Sequence, residues 1–352
     1  MMQMNLKQLP KKIILSQHFV LYLSLAYFIA LWIFIPHIAS PRNLSNIASN
    51  MWPLLALAIG QMFVLIVGGI DLSQTSIMAV VSVIGGVFMS SQIDPALFDK
   101  SPLWGIFLSA DGGILGSSPS ALPIGLVAML FVGVFIGFIN GFSVAKLKMP
   151  PFMVSLISML FFSGLAIFLT ASENITHLPQ SFVAIGKEGF GFITFSLLIV
   201  LAVAVVAHII LNSTVLGRWF YAVGMNIKTS IISGVPAERV IVLAYMFSGF
   251  CAAIGSILYS ARLEGGRPTL GQELLLDIIG AAVIGGISLF GGKGKVIWAF
   301  YGVLFFTLLA NSLNMLNLSF FTINIVKGSV ILLAAFLDVM RVRLTARSGG
   351  VS

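Results

Sequence analysis

Of the eleven carboxylates in this 352-residue chain, Asp71 sits where a charge is hardest to solvate. It lies in Gly68-Gly69-Ile70-Asp71-Leu72-Ser73, between two apolar runs, Met51–Val67 and Gln74–Ser90, that hold no charged residue. An ionisable group at that depth in a bilayer is costly, which makes it a functional candidate. Asp277 and Lys327 are the other ionisable groups placed inside apolar runs. Paired with Asp71, they would supply the relay or ion cage of a proton- or sodium-driven carrier. A second set, Gln61, Asn140, Ser158, Asn311, Asn314 and Thr322, is uncharged and suits a path for a neutral, hydroxyl-rich solute. Each of these also fits plain hydrogen bonding between helices. Asp71 has a simpler reading too. It stands three residues before Gln74, the capping-box spacing, so it fits a cap on a helix that restarts there. Gly68 and Gly69 let the backbone turn or press against a neighbour.

Enzymatic chemistry finds no constellation. His18, His37, His177 and His208 are scattered, and none pairs with a cysteine or carboxylate at metal-ligand spacing. Gly291-Gly292-Lys293-Gly294 is the nearest approach to a phosphate loop. That pattern needs glycine at 287 and Ser or Thr at 294, where Ile287 and Gly294 stand, so the chain is expected to bind no ATP itself.

The elements that must position these residues are membrane helices. The chain is 59% hydrophobic and only 9% charged, with a mean hydropathy of +1.08, whereas a soluble domain carries about 25% charged residues. This is the composition of an all-α integral membrane protein. Ten spans are expected, near His18–Ile35, Met51–Val67, Gln74–Ser90, Leu122–Ala145, Phe152–Ala171, a sixth ending near Leu211, Val240–Ser260, Leu274–Phe290, Val296–Asn311 and Phe321–Leu337. Residues 36–50 read as a polar turn, 91–121 as a long exposed loop, and the stretch before Gly189 as another polar loop. Gly133, Gly137 and Gly141 make a double small-xxx-small ridge for close helix packing. No cleavage-site pattern ends the first apolar run, so it reads as a retained span. The lone Cys251 excludes a disulfide framework.

Charge placement orients the spans. With ten crossings, thirteen of the nineteen basic residues fall on the side of the termini, among them Lys7, Lys11, Lys12, Lys146, Lys148, Arg218, Lys228, Arg239, Lys293 and Lys295. Five fall on the other side: Arg42, Lys100, Lys187, Arg262 and Arg267. The positive-inside rule then places both termini in the cytoplasm. Residues 1–17 become a cytoplasmic segment, 18–340 the membrane domain and 341–352 a cytoplasmic tail. The net charge of +8 sits in short loops between apolar runs and so does not point to nucleic acid. A weak internal echo links Ile84-Gly85-Gly86 and Gly68-Gly69-Ile70-Asp71-Leu72-Ser73 to Ile284-Gly285-Gly286-Ile287-Ser288-Leu289, Gly68 and Gly285 both ending spans that run inward.

The cytoplasmic connector 214–239 holds its own short helix. Asn226 is an N-cap, Ile227 and Ile231 share a face with Ile232 beside them, Lys228 is polar, and Ser233-Gly234 supplies a left-handed stop. Such a helix either rests on the lipid surface or fits a groove on a cytosolic partner.

Taken together, Gly68-Gly69-Ile70-Asp71-Leu72-Ser73, Asn140-Gly141, Lys146-Leu147-Lys148-Met149-Pro150-Pro151-Phe152, Gly217–Gly224 with Asn226, Ser233-Gly234-Val235, Ala261-Arg262-Leu263, Val283–Gly294 and Asn311–Asn314 resemble the permease subunits of bacterial ATP-binding-cassette importers for monosaccharides, the ribose/xylose/galactoside group with the related autoinducer-2 importers. The likeness spans roughly residues 50–340. It implies an inner-membrane permease with no ATPase of its own, ATP and magnesium being bound by a cytosolic ATPase partner. It further implies a second permease copy and a periplasmic solute-binding protein. Asn226, Ile227, Lys228, Ile231, Ser233 and Gly234 become the coupling segment, and the outer loops, including Arg262–Gln272, the binding-protein face. Gln61, Asp71, Asn140, Asn311 and Asn314 are the path candidates, and Gly68, Gly69, Gly133, Gly137, Gly141, Gly285 and Gly286 the structural glycines. Two departures bear on the solute: Gln74-Thr75 stand where the group usually continues with Val-Gly, and the 91–121 loop is long. A nucleoside or other small polar solute is the alternative within this group, and an ion-coupled carrier the alternative outside it.

Overall fold

The computed structural model describes residues 16–190 and 193–348, with side chains left out at Pro36 and 337–348; Lys7, Lys11, Lys12 and the last four residues lie outside the described residues. The described chain is mostly helical. Its helices are α1 (Phe19–Phe34), α2 (Pro41–Ile66), α3 (Gln74–Met89), the short α4 (Pro95–Phe98), α5 (Ala121–Ala145), α6 (Pro151–Thr170), α7 (Gln180–Lys187), α8 (Phe195–Ser213), α9 (Val215–Met225), α10 (Ile227–Ile232), α11 (Ala237–Arg262), α12 (Leu275–Gly285), α13 (Val296–Met315) and α14 (Phe320–Ser348). A two-residue hairpin, Gly189–Phe190 with Ile193–Thr194, joins α7 to α8. Six helices, α2, α5, α6, α8, α11 and α13, are long and apolar enough to cross a membrane.

The centre of the molecule is α2 against α11. From Met51 to Ile66 every residue of α2 except Trp52 is buried, which is the signature of a helix surrounded by other helices rather than by lipid. Around this pair α5, α6 and α8 present broad apolar outer faces, with Phe131, Leu160, Phe161 and Val205 exposed. The glycine ridge sets how close α5 comes to α11. A Cβ at Gly133 would lie 2.6 Å from the Gly249 carbonyl oxygen, one at Gly141 2.8 Å from the Val242 Cα, and one at Gly137 would strike the Tyr245 carbonyl. Glycine is what allows backbone-to-backbone contact here.

Four boundaries differ from expectation, each for a local reason. Residues 41–50 are helical, not a turn, because Ser40 caps α2, its Oγ accepting the Asn43 N–H at 3.4 Å with Pro41 at the first helical position. The stretch before Gly189 contains α7, packed through buried Phe182 and Val183. The connector 214–239 holds two helices rather than one; α9 precedes α10 and is capped by the Thr214 hydroxyl on Gly217 N–H. The expected span 274–290 is a helix of 11 residues, about 16 Å long, stopped by Gly286 at φ 97°.

Candidate functional site

Asp71 is buried with all its polar neighbours, and none of them is a charge. After α2 ends, Gly68 turns at φ 82° and the chain folds back along the helix it has just left. With its amide turned so that the nitrogen faces the Asp71 carbonyl, the orientation the bonding here requires, Gln61 donates to that carbonyl at 3.0 Å and accepts the Asp71 N–H at 3.3 Å. Asp71 therefore lies level with a turn about 8 Å before the end of α2. Its carboxylate Oδ1 accepts the Ser73 N–H at 2.9 Å and the Ser73 hydroxyl at 2.5 Å, while Oδ2 accepts the Ser248 hydroxyl from α11 at 2.6 Å. The capping box does not form. Ser73 takes the N-cap place without a side-chain bond to the helix, and Gln74 turns away, donating to Ser248 Oγ at 2.9 Å and to the Leu57 carbonyl at 3.2 Å. Asn140 on α5 donates to Ser73 Oγ at 2.8 Å, and Ser158 on α6 donates to Asn140 Oδ1. Ser155 and Tyr245 donate to the Ile70 carbonyl at 3.1 and 3.4 Å. One re-entrant strand of backbone is thus tied to α2, α5, α6 and α11. A cavity of ≈ 300 Å³ between α5 and α6 opens onto the Asn140–Ser158 pair, its other walls being Ile139, Met149, Ile157, Phe161 and Phe162 among others.

A second re-entrant segment precedes α12. Residues 266–271 run down the side of α3: the Arg267 N–H donates to Ser82 Oγ at 2.9 Å, and Gly271 packs 3.0 Å from the Thr75 carbonyl by its Cβ direction. The stretch 262–272, expected among the outer loops as a candidate binding-protein face, is partly folded in, with Gly265, Gly266, Pro268, Leu270 and Gly271 buried and Leu263, Glu264, Thr269 and Gln272 exposed. Arg262 is held at the rim by Asn50 and Asn46 of α2, at 2.6 and 2.9 Å. Helix α12 starts only at the foot of this segment, so the expected eighth span is part irregular chain, made of turns, and part helix. The same construction begins α3 after Asp71. Backbone groups in such segments need partners from neighbouring helices, which is what the serines provide.

The connector joins the body at a glycine junction. The Gly292 N–H donates to the Ile66 carbonyl at 2.8 Å, Gly224 of α9 packs directly on that carbonyl and on Gly292, and Gly291 lies 3.2 Å by its Cβ direction from the Gly68 Cα. Tyr221 donates to the Gly294 carbonyl at 2.7 Å, and burial pushes its phenol above the usual range. The two echoing turns, after Gly68 and after Gly286, thus come to the same end of the molecule, beside the connector. There α10 projects. Asn226 Oδ1 accepts the Thr229 N–H at 3.0 Å, and Gly234 turns at φ 80°. Ile227, Lys228, Ile231 and Ser233 are exposed, and Met225 and Ile232 are 78% and 88% exposed. Lys146 and Lys148 both reach Glu238, at 2.6 and 2.9 Å, fastening the 146–150 turn to the start of α11 at this end.

The expected path residues separate into three places. Gln61, Asp71 and Asn140 share one network, with Ser158 as its edge. Asn311 instead pairs with Asn43 of α2 through two reciprocal amide bonds of 2.9 and 3.0 Å. Asn314 and Thr322 are exposed, bonded locally to the Ala310 carbonyl and the Ser319 hydroxyl. Asp277 and Lys327 meet each other between α12 and α14, away from Asp71. Ser73, Gln74 and Ser248 complete the Asp71 network and were not among the expected site residues. The available signal was the serine stripe of α11: Ser248, Ser256 and Ser260 bond in turn to Asp71, the Met78 carbonyl and Ser82.

Comparison with known proteins fits this architecture. A family model described as "branched-chain amino acid transport system / permease component" matches residues 43–336. The ribose import permease protein of Bacillus subtilis is 32% identical over 305 residues, covering 86% of each chain. Its counterpart in Haemophilus influenzae is 31% identical, covering 86% of this chain and 87% of the relative. The L-arabinose transport system permease protein of Escherichia coli is 29% identical, covering 92% and 90%. No solved structure matches the chain.

Proposed function

We propose, from the premise that this chain belongs to the family of branched-chain amino acid transport system permease components, that it is the membrane-spanning permease subunit of an ATP-binding-cassette importer in a bacterial inner membrane, with a neutral monosaccharide or sugar-like molecule as its solute. The observation that carries the reading is α10, a capped, two-turn helix whose isoleucines point out of the protein at the end rich in lysine and arginine. An apolar helix presented there has a protein groove as its natural partner. A cytosolic ATPase that grips it and closes on ATP would move the connector and bias the permease between inward- and outward-facing states. The relatives named for ribose and arabinose favour a sugar over the amino acid of the family's description. An amino acid brings both a carboxylate and an ammonium, whereas the polar groups gathered near the α5–α6 cavity are amide and hydroxyl. On this reading both termini are cytoplasmic, and the ten crossings include the two made partly of non-helical chain. A second permease copy covers part of the apolar outer surface, and a periplasmic binding protein delivers the solute.

The experiment is uptake by vesicles holding this chain with its ATPase and binding protein. Transport is expected only with ATP inside, and Ile231→Asp is expected to leave the protein inserted while abolishing ATPase association. Uptake driven by a proton or sodium gradient without the ATPase would overturn the assignment.

A further inference from the structure

Two cavities of ≈ 200 Å³ each lie end to end between α1, α12, α13 and α14, sharing Phe19, Val20, Ile284 and Gly286 as walls. They exist because Gly286 stops α12 early, leaving the space below it without a helix. The deeper cavity is closed by Leu23, Phe305, Leu333 and Ala334, all hydrocarbon. The shallower one, toward the connector end, is lined by Ser16, Gln17 and Trp298. Phe305 stands two turns beyond Trp298 on α13, so the pair forms a slot about 10 Å deep along the helix axes.

At its mouth is Lys295. Its Nζ donates to Gln17 Oε1 at 2.9 Å and sits 5.1 Å from the centroid of the Trp298 ring. Among the described residues no carboxylate lies within ion-pair distance of it. An uncompensated ammonium beside an amide, a hydroxyl and an interfacial tryptophan, heading a hydrocarbon slot, has the polarity of a phospholipid read from head to tail. We propose that this slot holds one anionic phospholipid of the connector-side leaflet, its phosphate on Lys295 and one acyl chain between α1, α12 and α14. The site rests on the chain lying in a bilayer but on neither the solute nor the ATPase. It couples the lipid to α12, the half-helix whose end forms the Gly285–Gly286 turn.

The test uses the full chain in nanodiscs of equal phosphatidylethanolamine and phosphatidylglycerol, released into the gas phase for native mass spectrometry. Wild type is expected to retain one phosphatidylglycerol per chain. Lys295→Gln is expected to lower that retention about fivefold, the worth of one lysine at an anionic surface. Lys295→Arg is expected to keep it, and Ala334→Phe to fill the slot and displace lipid of either class. Equal retention of the two lipids by wild type, unchanged retention in Lys295→Gln, or no retained lipid at all would each overturn the proposal. The lysine series decides the matter even if Ala334→Phe fails to fold.

Discussion

Lys327 of α14 reaches Asp277 in the first turn of α12, its Nζ 2.7 Å from Oδ1 and donating to Oδ2 at 2.9 Å, with both residues 8% exposed. Lys327 is about 10 Å along α14 from that helix's start, so its partner shows independently how deep α12 begins. The carboxylate also lies at the positive end of the α12 dipole. Breaking such a pair by removing one partner leaves a buried charge and costs about 3–5 kcal/mol, whereas replacing both by apolar residues of similar size is often neutral. Asp277→Leu and Lys327→Met alone are therefore expected to lower the melting temperature of the purified protein sharply, and the double variant to recover most of the loss. A double variant no better than the worse single one would show that the pair does more than compensate charge.

Helix α5 offers a comparison within one protein. Gly137 faces the backbone of α11, while a Cβ at Gly164 on α6 meets nothing within 4 Å. Adding a methyl to a filled contact costs roughly 1–3 kcal/mol, and replacing an open helix glycine by alanine gains up to about 1 kcal/mol. Gly137→Ala should lower the melting temperature and Gly164→Ala should hold or raise it. Thermal unfolding in detergent reads both, and equal shifts would remove the glycine ridge as the device that sets the α5–α11 distance.

The contrast marks where sequence was sufficient. Apolar runs, the basic segregation and the spacing of Gly133, Gly137 and Gly141 are local patterns, and the helices α5, α6 and α13 lie within a residue or a few of expectation. The capped helix after Asn226 also follows local rules, because a cap and a glycine stop need no tertiary partner. The two re-entrant segments do not. Nothing local in residues 262–272 says that Ser82, eight residues into α3, will receive the Arg267 N–H, so a stretch with three charged residues reads as an outer loop. Likewise Asp71 and Gln74 have capping-box spacing, yet Ser248 competes for both from far along the chain. Asn43, hidden in a segment read as a turn, could not be offered as the partner of Asn311.

The Asp71 network separates a structural from an electrostatic role. Asp71→Ala strands the Ser73 N–H and two hydroxyl donors, each worth about 1–3 kcal/mol when buried without a partner, and is expected to abolish stable expression. Asp71→Asn keeps the acceptor for Ser73 and offers Ser248 a donor. It is expected to retain both fold and transport if the residue only ties the re-entrant strand to α11. An Asp71→Asn protein with unchanged melting temperature but no uptake would instead assign the negative charge to the transport cycle.

Gly224 tests whether the glycine junction carries motion. It touches the Ile66 carbonyl and Gly292, so it stands between α9, the end of α2 and the turn after α12. The next turn after Ile66 is Gly68, the hinge of the Asp71 strand. A displacement of α10 by a bound ATPase has two routes to the membrane interior, through α9 and this contact or directly into α11, because α10 touches little beyond those two neighbours. Gly224→Ala would wedge a methyl into the junction. If the junction transmits movement, the variant is expected to assemble with the ATPase and support ATP hydrolysis while uptake per ATP falls. Tyr221→Phe, which removes one hydrogen bond to Gly294 worth about 1 kcal/mol, should show the same split more weakly. Parallel loss of assembly, hydrolysis and uptake in both variants would reduce the junction to a stabilising contact, and coupling would then have to run through Lys146, Lys148 and Glu238 into α11.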